Sequence, residues 1–171
     1  MKKMLWLLAS VFLVSCGGNA QKKNELVTVA DTEVKQEKKY PVTKTDAEWK
    51  AQLSDIEYHV LRKKGTERPF TGKYNKFYAD GFYVCAACGI KLYESKYKFN
   101  SGTGWPSFDR GYDENLEYEV DNSFGMTRTE LICANCGGHL GHVFNDGPAP
   151  TGKRHCINSV SLQFVAANAP K

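Results

Sequence analysis

Long hydrophobic runs are almost absent from this chain of 171 residues. The one that occurs, within Met1–Ser15 and behind Lys2 and Lys3, is too short to span a bilayer, which takes about 20 apolar residues. Excess charge of one sign is lacking too. The formal charge is +4, and it falls to +2 over the remaining 156 residues once Lys2 and Lys3 leave with the first fifteen. So small a balance excludes the broad basic footprint of a nucleic-acid binder. No internal repeat occurs beyond two short cysteine hooks. With 42% hydrophobic and 12% aromatic residues, the chain is not a disordered one and has room for one ordinary domain.

A basic start, an apolar run and a small residue before Cys16 read as a bacterial secretion signal over residues 1–15. Ala-x-Ala cleavage sites are missing just upstream, and Leu13-Val14-Ser15-Cys16 resembles a lipobox. Cys16 is therefore expected to carry lipid and to anchor an exported protein to a bacterial membrane on its extracytoplasmic side. Residues 16–45 are rich in Lys, Glu, Gln, Asn, Thr and Val with few aromatics, and read as a flexible tether that cannot bury enough surface to offset the entropy of ordering. Residues 46–166 are expected to form the domain, and 167–171 a short tail.

Four of the six cysteines form the hooks Cys85-Ala-Ala-Cys88-Gly and Cys133-Ala-Asn-Cys136-Gly-Gly. Each two-residue gap turns two thiolates toward one point, so the pair reads as one tetrahedral zinc site with all four positions filled, which is structural and not catalytic. Export favours disulfides, yet matched hooks with glycine behind each second thiol suit metal knuckles better than distant staples. From Thr45 or Asp46 a single short helix is expected, with Trp49, Leu53, Ile56 and Val60 at helical spacing as its core face. After Gly65, short strands and turns predict a mainly β, antiparallel body.

Cys156 belongs to neither hook. The segment Lys153–Phe164 alternates like one strand, with Arg154, Cys156, Asn158, Val160, Leu162 and Phe164 on one face, so that the thiol stands at the polar rim of the core. Arg154 would favour its thiolate by charge attraction. In the glycine-rich stretch Gly137–Phe144, His139 and His142 lie three residues apart, with Asp146 within reach of orienting one of them. Imidazoles that titrate near neutral pH make this cluster a candidate acid. The turn Ser101–Phe108 presents Trp105, which by itself reads more often as core packing than as a substrate wall.

Taken together, Arg68-Pro-Phe-Thr-Gly72, the two hooks, Gly104-Trp-Pro-Ser-Phe108, His139-Leu-Gly-His-Val-Phe144, Asp146-Gly-Pro148 and Arg154-His-Cys-Ile-Asn158 closely resemble the B-type peptide-methionine sulfoxide reductases, in family order over about residues 46–166. The resemblance implies a β-tent-like single domain of antiparallel sheets, one structural Zn2+ per chain on Cys85, Cys88, Cys133 and Cys136, and reduction of the R epimer of methionine sulfoxide in oxidised proteins or peptides. Cys156 matches the family's nucleophile. Trp105 matches the residue that receives the substrate's methyl group, His139, His142, Asp146 and Arg154 match the polar pocket, and Asn158 matches an orienting neighbour. Many family members carry a resolving cysteine where this chain has Thr103, so the sulfenic acid formed on Cys156 is expected to be reduced by an external thiol, either a thioredoxin-fold protein or a small molecule. A monomer without nucleic-acid partners is expected. Two rival readings are a non-enzymatic zinc-ribbon binding module, which leaves Cys156, the histidines and Trp105 unexplained, and an exported disulfide-exchange protein using one hook as its redox pair.

Overall fold

The computed structural model describes residues 40–168. The expected leader, the lipid-bearing Cys16, most of the tether and the last three residues lie outside them. The six tether residues that are described belong to the folded body. Val42 donates its N–H to the Asn135 carbonyl at 2.8 Å and packs on the core. The Tyr40 ring lies so close to Gly137 that a Cβ there would come within 2.4 Å of it.

Where helical spacing predicts one helix there are two, α1 (Asp46–Gln52) and α2 (Asp55–Lys63). Thr45 and Ser54 each form a capping box, with Glu48 and Glu57 respectively, and Leu53 between them is extended. Two reciprocal caps in close succession outweigh the continuous spacing. The break turns Ile56 to solvent, at 46% exposure, while Trp49, Leu53 and Val60 stay buried. No helix among the described residues is long and apolar enough to cross a membrane.

The rest is mainly β, as expected. In chain order the strands are β1 (Gly81–Cys85), β2 (Lys91–Glu94), β3 (Lys98–Phe99), β4 (Ser107–Phe108), β5 (Leu116–Asp121), β6 (Arg128–Cys133), β7 (His139–Phe144), β8 (Arg154–Ile157) and β9 (Leu162–Ala166). They make a three-stranded sheet in the order β2-β1-β9 and a six-stranded sheet in the order β3-β4-β8-β7-β6-β5, antiparallel throughout. Tyr83, Tyr93, Phe108, Leu131, Leu140 and Ile157 are fully buried in the core, where Tyr93 stacks on Phe108 with ring centroids 4.2 Å apart.

The single strand expected over 153–164 is divided. A 3₁₀ turn at Ser159–Ser161 separates β8 from β9, and the two strands join different sheets. Cys156 therefore does not share a core face with Leu162 and Phe164. It is its neighbours His155 and Ile157, at 2% and 0% exposure, that point into the core, and Cys156 faces the other side.

Candidate active site and metal centre

The two hooks fold alike. Gly89 and Gly137 donate to the carbonyls of Cys85 and Cys133, both at 2.8 Å, with φ of 76° and 70° that favour glycine over any side chain. The four sulfurs lie within 4.8 Å of one another, the only such cluster among the described residues. Cys85 and Cys136 are 3.7 Å apart, and Cys88 and Cys133 3.6 Å. A tetrahedron of thiolates about 2.3 Å from a central ion has edges of about 3.8 Å, so the cluster fits a metal ion. Each helix braces one hook: Gln52 donates to the Ala87 carbonyl at 2.6 Å, and Arg62 to that of Cys136 at 2.9 Å.

Residues three apart in a regular strand point to opposite faces, which would separate His139 from His142. A bulge prevents this. Leu131 opposes Gly141 and Ile132 opposes His139, leaving Leu140 as the extra residue. The reset brings both imidazoles to one face with centroids 5.4 Å apart. Cross-strand register then sets out a row on that face: Glu130 opposite His142, His142 opposite Cys156, and Cys156 opposite Ser107. β7 and β8 approach closely at Gly141, where a Cβ would meet the Cys156 carbonyl oxygen at 2.0 Å.

At this row opens a pocket of about 130 Å³ lined by Thr66, Trp105, Arg128, Gly141, His142, Phe144, Cys156, Ile157 and Asn158. A cavity of roughly 150 Å³ holds one benzene molecule, so the space suits a small, partly apolar group. Of the residues singled out in the sequence, Cys156, His142, Trp105 and Asn158 meet here. His139 stands behind, 2% exposed, with Nδ1 2.7 Å from Glu130 Oε1. Lys64 completes that group, its Nζ 2.7 Å from the other Glu130 oxygen. Asp146 orients neither histidine. It accepts two hydrogen bonds from Arg154, at 2.8 and 2.9 Å, and Arg154 in turn lies over the Phe144 ring at 4.4 Å.

Burial pushes the Cys156 thiol above its ordinary value, and it outweighs the opposing pull of Arg154 and of the Thr103 hydroxyl. The arginine acts in the direction expected without prevailing. Thr103 Oγ1 is 4.0 Å from Cys156 Sγ and 2.8 Å from Ser101 Oγ, which is itself 2.8 Å from Ser107 Oγ. Burial also lowers His142, against a hydrogen bond between its Nε2 and Asp121 Oδ2 at 2.8 Å. Hydrogen bonds from Ser123, His142 and Arg128 hold Asp121 well below the usual carboxylate range.

Sequence reasoning missed Asp121, Glu130, Arg128 and, most of all, Glu67. The Glu67 side chain accepts from the backbone N–H groups of Ser159 and Val160 at 2.6 and 3.2 Å. Its own N–H donates to Asn158 Oδ1 at 3.0 Å, and its carbonyl accepts from Trp105 Nε1 at 3.2 Å. One buried residue thus fixes the pocket's tryptophan, its asparagine and the turn that ends the Cys156 strand. Its position next to the Arg68–Gly72 motif was the only signal available. Asn158 also donates from Nδ2 to the Leu140 carbonyl at 3.1 Å.

Comparison with known proteins gives the chain's family. The SelR domain family matches residues 53–166. A protein named peptide methionine sulfoxide reductase MsrB from Methanosarcina barkeri is 58% identical over 126 residues, which are 72% of this chain and 87% of that one. Proteins of the same name from Leptospira interrogans and Hahella chejuensis are 54% and 53% identical, over 73% and 74% of this chain and 96% and 92% of theirs. Matched along most of its length by the family and its members, this chain belongs to the SelR domain family.

Proposed function

We propose that this protein is an oxidoreductase that reduces methionine sulfoxide in proteins or peptides, acting on the R epimer with Cys156 as nucleophile. The observation that carries the reading is the cross-strand pairing of Cys156 with His142 at a small pocket walled by Trp105. The names of the relatives give the substrate class. In the step proposed, the Cys156 thiolate attacks the sulfoxide sulfur while the His142 imidazolium protonates its oxygen. The net change moves one oxygen: methionine sulfoxide and the Cys156 thiol become methionine and the Cys156 sulfenic acid. The substrate sulfur gains the electron pair that the cysteine sulfur loses. Two thiols of an external donor then restore Cys156, releasing water and the donor's disulfide. The apolar face of Trp105 would receive the methyl group, so that aromatic and acid on fixed sides select one epimer. Asn158, Arg154 and Asp146 act as supports of the Cys156 strand, and His139 with Glu130 as the support behind His142.

An external donor is favoured because Thr103 stands beside Cys156 and, among the described residues, no thiol does. The four hook cysteines are engaged with one another, and we assign their ion as Zn2+, whose tetrahedral thiolate site would cross-link the chain and leave no position open for substrate. Assays on resolved R and S sulfoxides of a blocked methionine, with dithiol as reductant, test the reading: turnover of R alone is expected, abolished by Cys156→Ser. Turnover of S alone, or of neither, overturns it. After one turnover without reductant, intact mass should show one added oxygen on Cys156, and a bond from Cys156 to a hook cysteine would exclude the external donor. Export and lipid attachment at Cys16 rest on the sequence Leu13–Cys16. Cys16→Ser should move the protein from the membrane fraction to the soluble one, and continued sedimentation with membranes would count against the anchor.

A further inference from the structure

The hairpin joining β5 to β6 carries features that the proposed chemistry does not use. Phe124 at its tip is 89% exposed, Val120 72% and Met126 48%. Scattered exposed apolar side chains are ordinary, but contiguous ones mark interaction surfaces, and Val120 and Phe124 line one groove. The tip is also held in place. Phe124 adopts φ 55°, a left-handed conformation costly for a side chain with a Cβ. Asp121 Oδ1 accepts the Ser123 N–H at 2.9 Å, Arg128 donates to Ser123 Oγ at 3.2 Å, and Thr127 donates to Asn122 Oδ1 at 3.0 Å. Asp121, which secures this turn, is the same residue that holds His142. The aromatic ring is therefore displayed by a turn built into the site.

Beside it runs a groove of about 360 Å³. Val120 and Phe124 are its apolar side, and the rest of its lining is polar, with Lys63, Lys64, Arg128, Asp121 and Glu130 as its charged groups. Three residues, Thr66, Arg128 and His142, line both this groove and the pocket that holds Cys156. The two spaces are therefore adjacent, separated by no more than these side chains. The pocket has room for little more than the end of one side chain, so whatever is attached to that side chain must lie over the neighbouring surface.

We propose that this groove is a docking subsite for a polypeptide substrate, in which Phe124 and Val120 receive an apolar or aromatic side chain flanking the oxidised methionine. The proposal rests on the methionine sulfoxide reading above and names the substrate class it serves: unfolded or locally exposed chain segments in which hydrophobic residues neighbour the methionine. The lysines do not select acidic chains, because Lys63 is paired with Asp46 and Lys64 with Glu130.

The test compares kcat/KM, with dithiothreitol as reductant, for blocked methionine (R)-sulfoxide and for short blocked peptides carrying Phe or Asp on either side of it. The wild-type protein should prefer the Phe-flanked peptide, in at least one order, by about five- to tenfold over its Asp counterpart. Phe124→Ser should erase the preference and leave turnover of the single blocked residue unchanged, while Phe124→Leu should keep most of it. If Phe124→Ser proves unfolded by circular dichroism, Val120→Ser carries the same comparison. No preference in the wild type, or one that survives Phe124→Ser, overturns the docking subsite. A Phe124→Ser defect seen only when a protein dithiol replaces dithiothreitol also overturns it and assigns the surface to the reductant. Absence of any turnover by the wild-type protein is a different failure, since it removes the reductase reading together with the subsite.

Discussion

Cys156 and His142 face each other across one strand pair, and burial moves each away from the ionised form that the proposed step uses. The thiol is raised from an ordinary 9.0 and the imidazole lowered from 6.5. The reactive pair, thiolate with imidazolium, is then a minority form whose share is constant between the two values. It falls as pH drops through the His142 value, because the thiol keeps its proton. It falls again as pH climbs through the Cys156 value, because the imidazole has lost its own. kcat/KM for blocked methionine sulfoxide should therefore trace a broad bell, with its acid flank below 6.5 and its alkaline flank above 9.0. Asp121→Asn removes the negative charge that supports the imidazolium and should carry the acid flank further down. An alkaline flank below 9.0 would mean that Arg154 outweighs burial at the thiol. The thiol itself was legible in the sequence, since a cysteine outside two matched hooks is a rare residue in a marked place. Asp121 and Glu130 were not. Surface carboxylates are common, and these two acquire meaning only when strand pairing brings them to histidines 21 and 9 residues away.

Three secondary-structure elements depart from their sequence pattern, and each departure places a functional group. The second capping box divides the expected helix, and the two pieces reach one hook each through Gln52 and Arg62. The bulge at Leu140 aligns two histidines that regular pleating would part. The 3₁₀ turn at Ser159–Ser161 ends the Cys156 strand and sends the chain into the other sheet. Periodicity over a short window registers none of these interruptions: the Ser54–Glu57 capping box is a local signal that spacing alone does not count, and the 3₁₀ turn is stabilised by a side chain from elsewhere in the chain. Glu67 shows the distance involved: it lies 92 residues from the Ser159 N–H that it accepts. Removing its carboxylate leaves the buried Ser159 N–H and the part-buried Val160 N–H without acceptors, at about 1–3 kcal/mol for a fully buried group. Glu67→Ala should lower the free energy of urea denaturation by about 2–4 kcal/mol and raise KM for methionine sulfoxide as Asn158 and Trp105 loosen. Glu67→Gln, which keeps one acceptor oxygen, should fall between the two. Unchanged stability in Glu67→Ala would show that water or a shifted side chain satisfies those groups.

Across the whole molecule, the hooks join two sheets that the strand ladders leave separate. The first begins at the end of β1 in the three-stranded sheet, and the second begins at the end of β6 in the six-stranded sheet. A shared ion would thus close a loop between segments distant in sequence, and each helix is braced against one of the hooks it would fix. A structural zinc site contributes about 10–16 kcal/mol of apparent binding free energy, comparable to the entire stability of a domain, about 5–15 kcal/mol. The ion's effect should therefore appear as folding and not as chemistry. Native mass spectrometry should find one zinc per chain, and a strong chelator should remove it with simultaneous loss of the near-ultraviolet circular dichroism of the aromatic core. Cys88→Ser, which weakens the site at its half-exposed corner, should lower the temperature at which that signal collapses, and turnover should decline with the folded fraction. Complete release of metal with the near-ultraviolet signal and turnover both retained would show that the hooks only decorate a body whose two sheets and helices hold themselves together.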